Sequence, residues 1–475
     1  MRVPSAALCL IFVAGCAMTA AERTQPQLGF PDAPPTAPPL KAAQLPAAYS
    51  TRLDNGMEVV VVQNDEIPWV SVGWYLLTGS KADPPTKGGI AATTAQLLRQ
   101  GTAKHSADEL AALLDRHAIS LSGGAGHETS VITAGTLSQY LDLTVETLAE
   151  VTRTPTFEPP EFRRHIQQAL AGLSVSERDG AYLADRALRR RLYGDHYLGR
   201  LSGGESSSIR TLEREDLITF HETHYAPNHS MLIFSGAVSS RQATDLARKH
   251  FGDWPRKTVP TVATETIPEP GPTTIYLVDR PDATQTQVRI GQLGFPRQDS
   301  AYVPAQVFNQ VFGGGFSSRL MRRVRIIEGL TYGARGGFSS TKVAGHLSIR
   351  TFTRNEETAK TVRVLLDETR KMRSDPPTDE EMNDARSYII GRFGLSLETP
   401  QDVASKIFEL RFFGLGENYY DTFLEQIDRV TPDDVTALAE RRLDPDRLTI
   451  ILVGKAADFE HDLDGIAPIV REAGP

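Results

Sequence analysis

Two side chains in this sequence stand out for chemical reach. Arg325 and Tyr332 lie seven residues apart in the stretch Gly313–Tyr332, which reads GGGFSSRLMRRVRIIEGLTY. A guanidinium and a phenol held side by side on rigid elements can donate hydrogen bonds to a substrate carbonyl. Both residues also have a plainer reading. An arginine near a helix C-terminus complements the macrodipole, and a tyrosine early in a strand is commonly half-buried core. The surrounding residues predict the elements that hold the pair. Gly313, Gly314 and Gly315 suit a sharp turn or a close backbone approach. Ser317 or Ser318 can cap a helix whose apolar residues Leu320, Met321, Val324 and Ile327 recur at helical spacing. Gly329 closes that helix in a left-handed conformation, and Leu330, Thr331 and Tyr332 start a strand.

Other reactive groups are sparse. His221 and His224 stand in His-Glu-Thr-His, but a helical zinc pair needs i, i+4 spacing and these are at i, i+3. His127 reads as a strand or turn residue. The two cysteines, Cys9 and Cys16, both fall in the first sixteen residues, so the body has no disulfide, thiolate ligand or thiol nucleophile. No Ser/His/Asp arrangement stands out.

At 475 residues the chain is too long for one hydrophobic core. Its apolar and charged fractions, 40% and 23%, are those of a soluble globular protein. A net charge of -8 argues against a nucleic-acid partner. The basic run Arg189–Arg191 reads as a solvated helix face.

The N-terminus has the pattern of an export signal. Arg2 precedes an apolar core, Val3–Val13, that is too short to span a membrane. Val13-Ala14-Gly15-Cys16 resembles a bacterial lipobox, which implies a signal over residues 1–15 and a lipid on Cys16. By the same resemblance, Ala17 after the cysteine points to the outer membrane. The rival is plain cleavage within Ala17–Ala21, releasing a soluble periplasmic protein. Residues 16–46 form a proline-rich, extended tether.

The body divides into residues 47–257, a Pro- and Thr-rich linker at 258–273, and residues 274–475. Residues 209–236 and 427–454 correspond at a constant offset of 218: Ile209 meets Ile427, Asp216 meets Asp434, Pro227 meets Pro445 and Gly236 meets Gly454. Each copy reads as a helix, a short turn and a buried strand. This is an internal duplication. Strands and helices of mixed order in two homologous halves predict an α+β fold.

These features together resemble the M16 peptidases, the family of pitrilysin and the mitochondrial processing peptidase, in its short two-domain bacterial form. The Leu53-Asp54-Asn55-Gly56 turn, the Gly89 helix, Leu192-Tyr193-Gly194, the duplicated ends and the Gly313 stretch fall in the family's order. The resemblance implies two homologous domains, each a mostly antiparallel sheet with helices packed on it. Active members carry His-x-x-Glu-His on the first-domain helix, where two histidines bind zinc and the glutamate activates water. Here the frame Gly89-Ile90-Ala91 to Gly101-Thr102 is kept, but Ala92, Ala95 and Gln96 replace the histidines and the base. Gly172 aligns with the third ligand, a glutamate, and Glu177 lies too far along the helix to substitute. This implies no metal in this chain.

The family's second domain keeps an Arg and a Tyr seven residues apart that hold the substrate backbone, and Arg325 and Tyr332 match them; Gly313, Gly314 and Gly315 would shape the adjoining substrate-binding loop. Loss of the zinc half with retention of the Arg/Tyr half implies divided labour. The expected role is the non-zinc subunit of a periplasmic heterodimer acting on peptides and unfolded segments, with zinc in a partner that carries His-x-x-Glu-His. The alternative is an inactive scaffold or peptide-binding protein.

Overall fold

A computed structural model describes residues 45–472 except position 264. The export signal, Cys16 and all but the last two residues of the tether lie outside the described residues.

The first half runs β1 (Tyr49–Arg52), β2 (Glu58–Gln63), β3 (Trp69–Leu76), α1 (Ile90–Leu97), α2 (Ala107–Arg116), β4 (Ser120–Ala125), β5 (Ser130–Leu137), α3 (Leu141–Arg153), α4 (Pro159–Ser176), α5 (Gly180–Tyr193), α6 (Ser206–Ile209), α7 (Arg214–His224), β6 (Ser230–Gly236) and α8 (Ser240–Phe251). The second runs β7 (Thr274–Asp279), β8 (Gln285–Leu293), α9 (Tyr302–Phe312), a π-helix (Met321–Ile327), β9 (Ala334–Ser340), β10 (Gly345–Arg354), α10 (Thr358–Ser374), α11 (Asp379–Leu395), α12 (Pro400–Phe413), α13 (Tyr419–Arg429), α14 (Pro432–Arg442), β11 (Thr449–Gly454) and β12 (Ile469–Glu472). Local chemistry explains the helix starts. Ser106 and Glu109 form a reciprocal capping box on α2, as Thr378 and Glu381 do on α11.

Two six-stranded sheets result, ordered β1-β2-β6-β3-β5-β4 and β12-β7-β11-β8-β10-β9. Five strands of one correspond in order to five of the other, and most neighbours are antiparallel. β2 pairs parallel with β6, and β7 pairs parallel with β11. The duplication is therefore structural as well as sequential. α7 and β6 match α14 and β11, and both helices open on a capping box, Glu213 with Asp216 and Thr431 with Asp434.

The halves interlock. Strand alternation sends Val59 and Val61 of β2 into their own half's core, and Val60 and Val62 into the core built mainly by the second half. Likewise Ile450 and Leu452 of β11 face their own helices, whereas Ile451 and Val453 face α5 from the first half. α5 lays Leu183, Leu188 and Leu192 on the second sheet, and each such burial stabilises by roughly 1.5–3 kcal/mol as an upper estimate. Asp185 of α5 accepts from Nε of buried Arg289 at 2.6 Å. α12 makes the reciprocal crossing. Its Phe408 packs on β3, and its Gln401 accepts from Ser71 Oγ at 2.5 Å. The described residues accordingly form one compact unit.

Three expectations are corrected. The segment before Gly329 is a π-helix, not an α-helix, and the next strand begins at Ala334 rather than Leu330. The run Arg189–Arg191 is not simply solvated: Arg189 is half-buried, and Arg191 lies 4.2 Å over the Tyr276 ring and bonds Glu472 at 2.5 Å.

Candidate functional site

The glycines before the π-helix bring two backbones together. Gly313 bridges Gly336 of β9, and a Cβ at Gly313 would lie 2.2 Å from the Gly336 nitrogen. The Asn309 side chain donates to Phe338 O at 2.8 Å and accepts from Phe338 N at 2.6 Å. The end of α9 thereby covers part of the outer edge of β9. Side chains at Gly314 and Gly315 would collide with Gln310, at 2.6 and 2.5 Å. A Cβ at any of these three glycines would meet α9 or β9, and none of the three lines the cleft described next.

Arg319 fixes the start of the following turn. Its Nε and Nη2 donate to the Glu381 carboxylate at 2.8 Å each, and Nη1 donates to Asp375 O at 2.9 Å. Ser318 Oγ bonds back to Gly315 O at 2.7 Å instead of capping the helix. Leu320 and Val324 are buried, but Ile327 is 58% exposed. The i→i+5 bonding of a π-helix widens each turn, so residues spaced for one α-helical face no longer share it. Gly329, at φ +62°, then reverses the chain as its left-handed reading predicted.

Arg325 and Tyr332 end on the walls of one cleft of about 300 Å³, with Gln285, Leu330, Phe352 and Arg354. Arg325 is half-buried, with its guanidinium carbon 4.8 Å from the ring centroid of Phe316. Tyr332 is 79% exposed, so the half-buried core reading does not apply to it. Sequence reasoning missed Phe316, whose one signal was an aromatic residue between glycines and serines.

The residues that the resemblance aligns with the zinc motif lie on the first half. Gly89, at φ +99°, opens α1. Asp83 accepts from Gly89 N at 2.7 Å and from Ala91 N at 3.0 Å, and burial pushes its carboxyl up to about 7. Ala92 and Ala95 are buried, whereas Gln96 is exposed. Gln96 lines a cleft of about 580 Å³ together with Glu161, Arg164, His165, Gln168 and Ala169 of α4. Gly172 is exposed one turn beyond Gln168, with open space where a Cβ would stand. Alanine and glycine offer no side-chain donor, and Glu161 is paired with Arg164. These residues do not fit zinc. Among the described residues no group of three His, Cys, Asp or Glu side chains is placed to hold a metal.

The histidines that invited a metal reading are packing groups. His221 Nε2 bonds Thr152 O at 2.8 Å, and the buried His224 ring sits 4.6 Å from the Phe220 ring. Burial pushes both imidazoles down to about 4. His127 lies in the β4–β5 turn, with Nδ1 3.1 Å from Ser80 Oγ.

A duplicated α+β chain with two interlocked mixed sheets defines the class, and its likeness to known proteins narrows it to inactive-type peptidase homologues. Family models assign it more closely. Insulinase (Peptidase family M16) matches residues 58–201, and the Peptidase M16 inactive domain matches residues 211–389. The chain belongs to the M16 peptidase family. It is similar to the non-peptidase homolog YmxG of Helicobacter pylori, 25% identical over 403 residues covering 83% of this chain and 91% of the relative. It is also similar to an uncharacterized zinc protease, Rv2782c of Mycobacterium tuberculosis, 28% identical over 415 residues covering 86% and 94%. Among solved structures, a peptidase M16 inactive domain from Pseudomonas fluorescens superposes with TM-score 0.80 at 27% identity, covering 86% of this chain and 98% of that one. A protease from Helicobacter pylori shares the fold with TM-score 0.78 at 18% identity, covering 86% and 100%.

Proposed function

We propose that this chain is the non-zinc, substrate-holding subunit of a heterodimeric periplasmic M16 metalloendopeptidase that acts on peptides and unfolded segments. One observation carries the reading. Arg325 and Tyr332 share a cleft, while Ala92, Ala95 and Gln96 leave the chain without metal ligands or a base. In this reading a second M16 chain carrying His-x-x-Glu-His supplies zinc and the base. Arg325 stabilises the oxyanion that develops on the scissile carbonyl, and Tyr332 donates a hydrogen bond to it. The lipobox resemblance at Cys16 adds an outer-membrane lipid anchor, with the proline-rich segment as the tether.

The test is a native pull-down of the full chain from its own envelope fraction. The expected result is one M16 partner carrying His-x-x-Glu-His in equal amount, and peptide cleavage by the pair. Recovery of the chain alone, or with an unrelated complex, would overturn the heterodimer. The second reading, a scaffold or peptide-binding protein, draws its support from the relative named a non-peptidase homolog.

A further inference from the structure

Exposed apolar side chains gather around Arg325. Of the eleven large hydrophobic residues exposed among the described residues, four fall within Phe316–Tyr332: Phe316 at 64%, Ile326 at 62%, Ile327 and Tyr332. Single exposed hydrophobics are ordinary, but a run this dense marks a surface that something covers. The π-helix creates it. At α-helical spacing Ile327 would follow Val324 into the core; the wider turn rolls Ile327 out beside Ile326, and Val324 stays buried. Two consecutive β-branched side chains, stiff at χ1, are thus held in solvent directly after Arg325.

The charged side chains that line the cleft are of one sign. Arg325 and Arg354 line the cleft, and no acidic side chain does so among the described residues. Arg354 is engaged by Glu356 and Glu357, both at 3.3 Å. Arg325 has no ion pair among the described residues, and its guanidinium lies over the Phe316 ring. A cleft of about 300 Å³ accepts a side chain or two, not a folded surface.

We infer that the Arg325 cleft selects extended peptide segments with bulky apolar side chains beside the held carbonyl and no Lys or Arg there. The apolar side chains pack on Phe316, Ile326 and Ile327. A substrate cation is repelled by Arg325, whereas an acidic or uncharged neighbour is accepted. This deepens the proposed function by naming its substrate class. It rests on that reading for turnover, but not for binding.

The experiment therefore measures binding to the isolated full chain by fluorescence anisotropy. Three labelled extended peptides of equal length are compared: one alternating Leu or Phe with Asp, one with Ser replacing the apolar residues, and one with Lys replacing Asp. The expected result is about tenfold tighter binding of the first over each of the others. In the Ile326→Ser/Ile327→Ser double variant the preference for apolar residues collapses while the discrimination against Lys remains. Both isoleucines are exposed, so the variant should melt with the parent, which thermal denaturation checks. Equal binding of the three peptides, no measurable binding, or an apolar preference unchanged in the variant would overturn the inference. Cleavage by the partnered complex separates the two proposals. Turnover without preference sinks the specificity alone, and selective binding without any partner or turnover sinks the heterodimer alone.

Discussion

The Phe408 ring of α12 stacks on Tyr75 of β3 with centroids 4.2 Å apart and planes 15° from parallel. This contact joins a helix of the second half to the sheet of the first. Its counterpart is Tyr193 of α5, whose hydroxyl meets His346 Nδ1 of β10 at 3.0 Å. Each half therefore finishes its sheet with the other half's helix. Phe408→Ala should cost about 3 kcal/mol, since the ring leaves a gap at a partly buried site. A chain cut to residues 47–257 should fail to melt cooperatively, because Val60, Val62 and Ile233 lose their cover. Chemical denaturation of the variant, and calorimetry of the fragment, check both. A fragment with a sharp transition would show that the crossing is dispensable.

Turnover tests the Arg/Tyr pair. In the reconstituted complex, Arg325→Ala should lower kcat by about 10²–10³-fold, as loss of one oxyanion donor does, and Tyr332→Phe should lower it in the same direction. Co-purification with the partner should survive both changes. Unchanged turnover would remove the pair from the chemistry.

Metal content follows from the donors present. The isolated chain, dialysed against zinc and analysed by mass spectrometry, should hold far less than one equivalent. His221→Ala should leave that content unchanged and still destabilise the fold by about 1–2 kcal/mol, because Thr152 O loses its partner. Stoichiometric zinc that disappears with His221 would reverse this assignment.

Stability should depend on pH in a defined direction. Burial pushes His127, His221, His224 and His346 from 6.5 down to about 4. Between those values the unfolded chain binds more protons than the folded one. Their contribution is complete above 6.5 and is lost as pH falls toward 4. Asp83, raised from 3.8 to about 7, runs the other way, since its burial costs more as pH rises from the lower value to the higher. Four groups outweigh one, so Tm should fall on acidification from pH 6.5 to 4. A flat profile would contradict the burial of these rings.

Localisation rests on residues 1–46 alone. Cys16→Ser should abolish incorporation of labelled fatty acid and shift the protein from the membrane to the soluble envelope fraction. An unlabelled parent, found in the soluble fraction, would favour simple signal cleavage.

Much of the fold was legible because it is written in local chemistry. The offset of 218 between Ile209 and Ile427 marks a repeated helix–turn–strand, and both copies fold that way. Ser106 was readable as a cap because Glu109 completes its box. Alanine at 92 and 95 is equally plain, since it has no metal donor to offer in any fold. The π-helix was not legible. Leu320, Met321, Val324 and Ile327 fit an α-helical face, whereas the segment takes wider turns just after Arg319, which is anchored to Glu381 sixty-two residues away.

The sequence by itself thus determined the duplication, the α+β class, side chains without a metal donor at 92 and 95, and the spacing of Arg325 and Tyr332. Those properties depend on residue type and short-range order. Only the tertiary structure decided that α5 and α12 exchange sheets, that Ile326 and Ile327 face solvent, and that Arg325 and Tyr332 open onto one cleft. Each of these depends on which distant surface buries a side chain, and a local pattern of apolar residues records that a face is buried without recording what buries it.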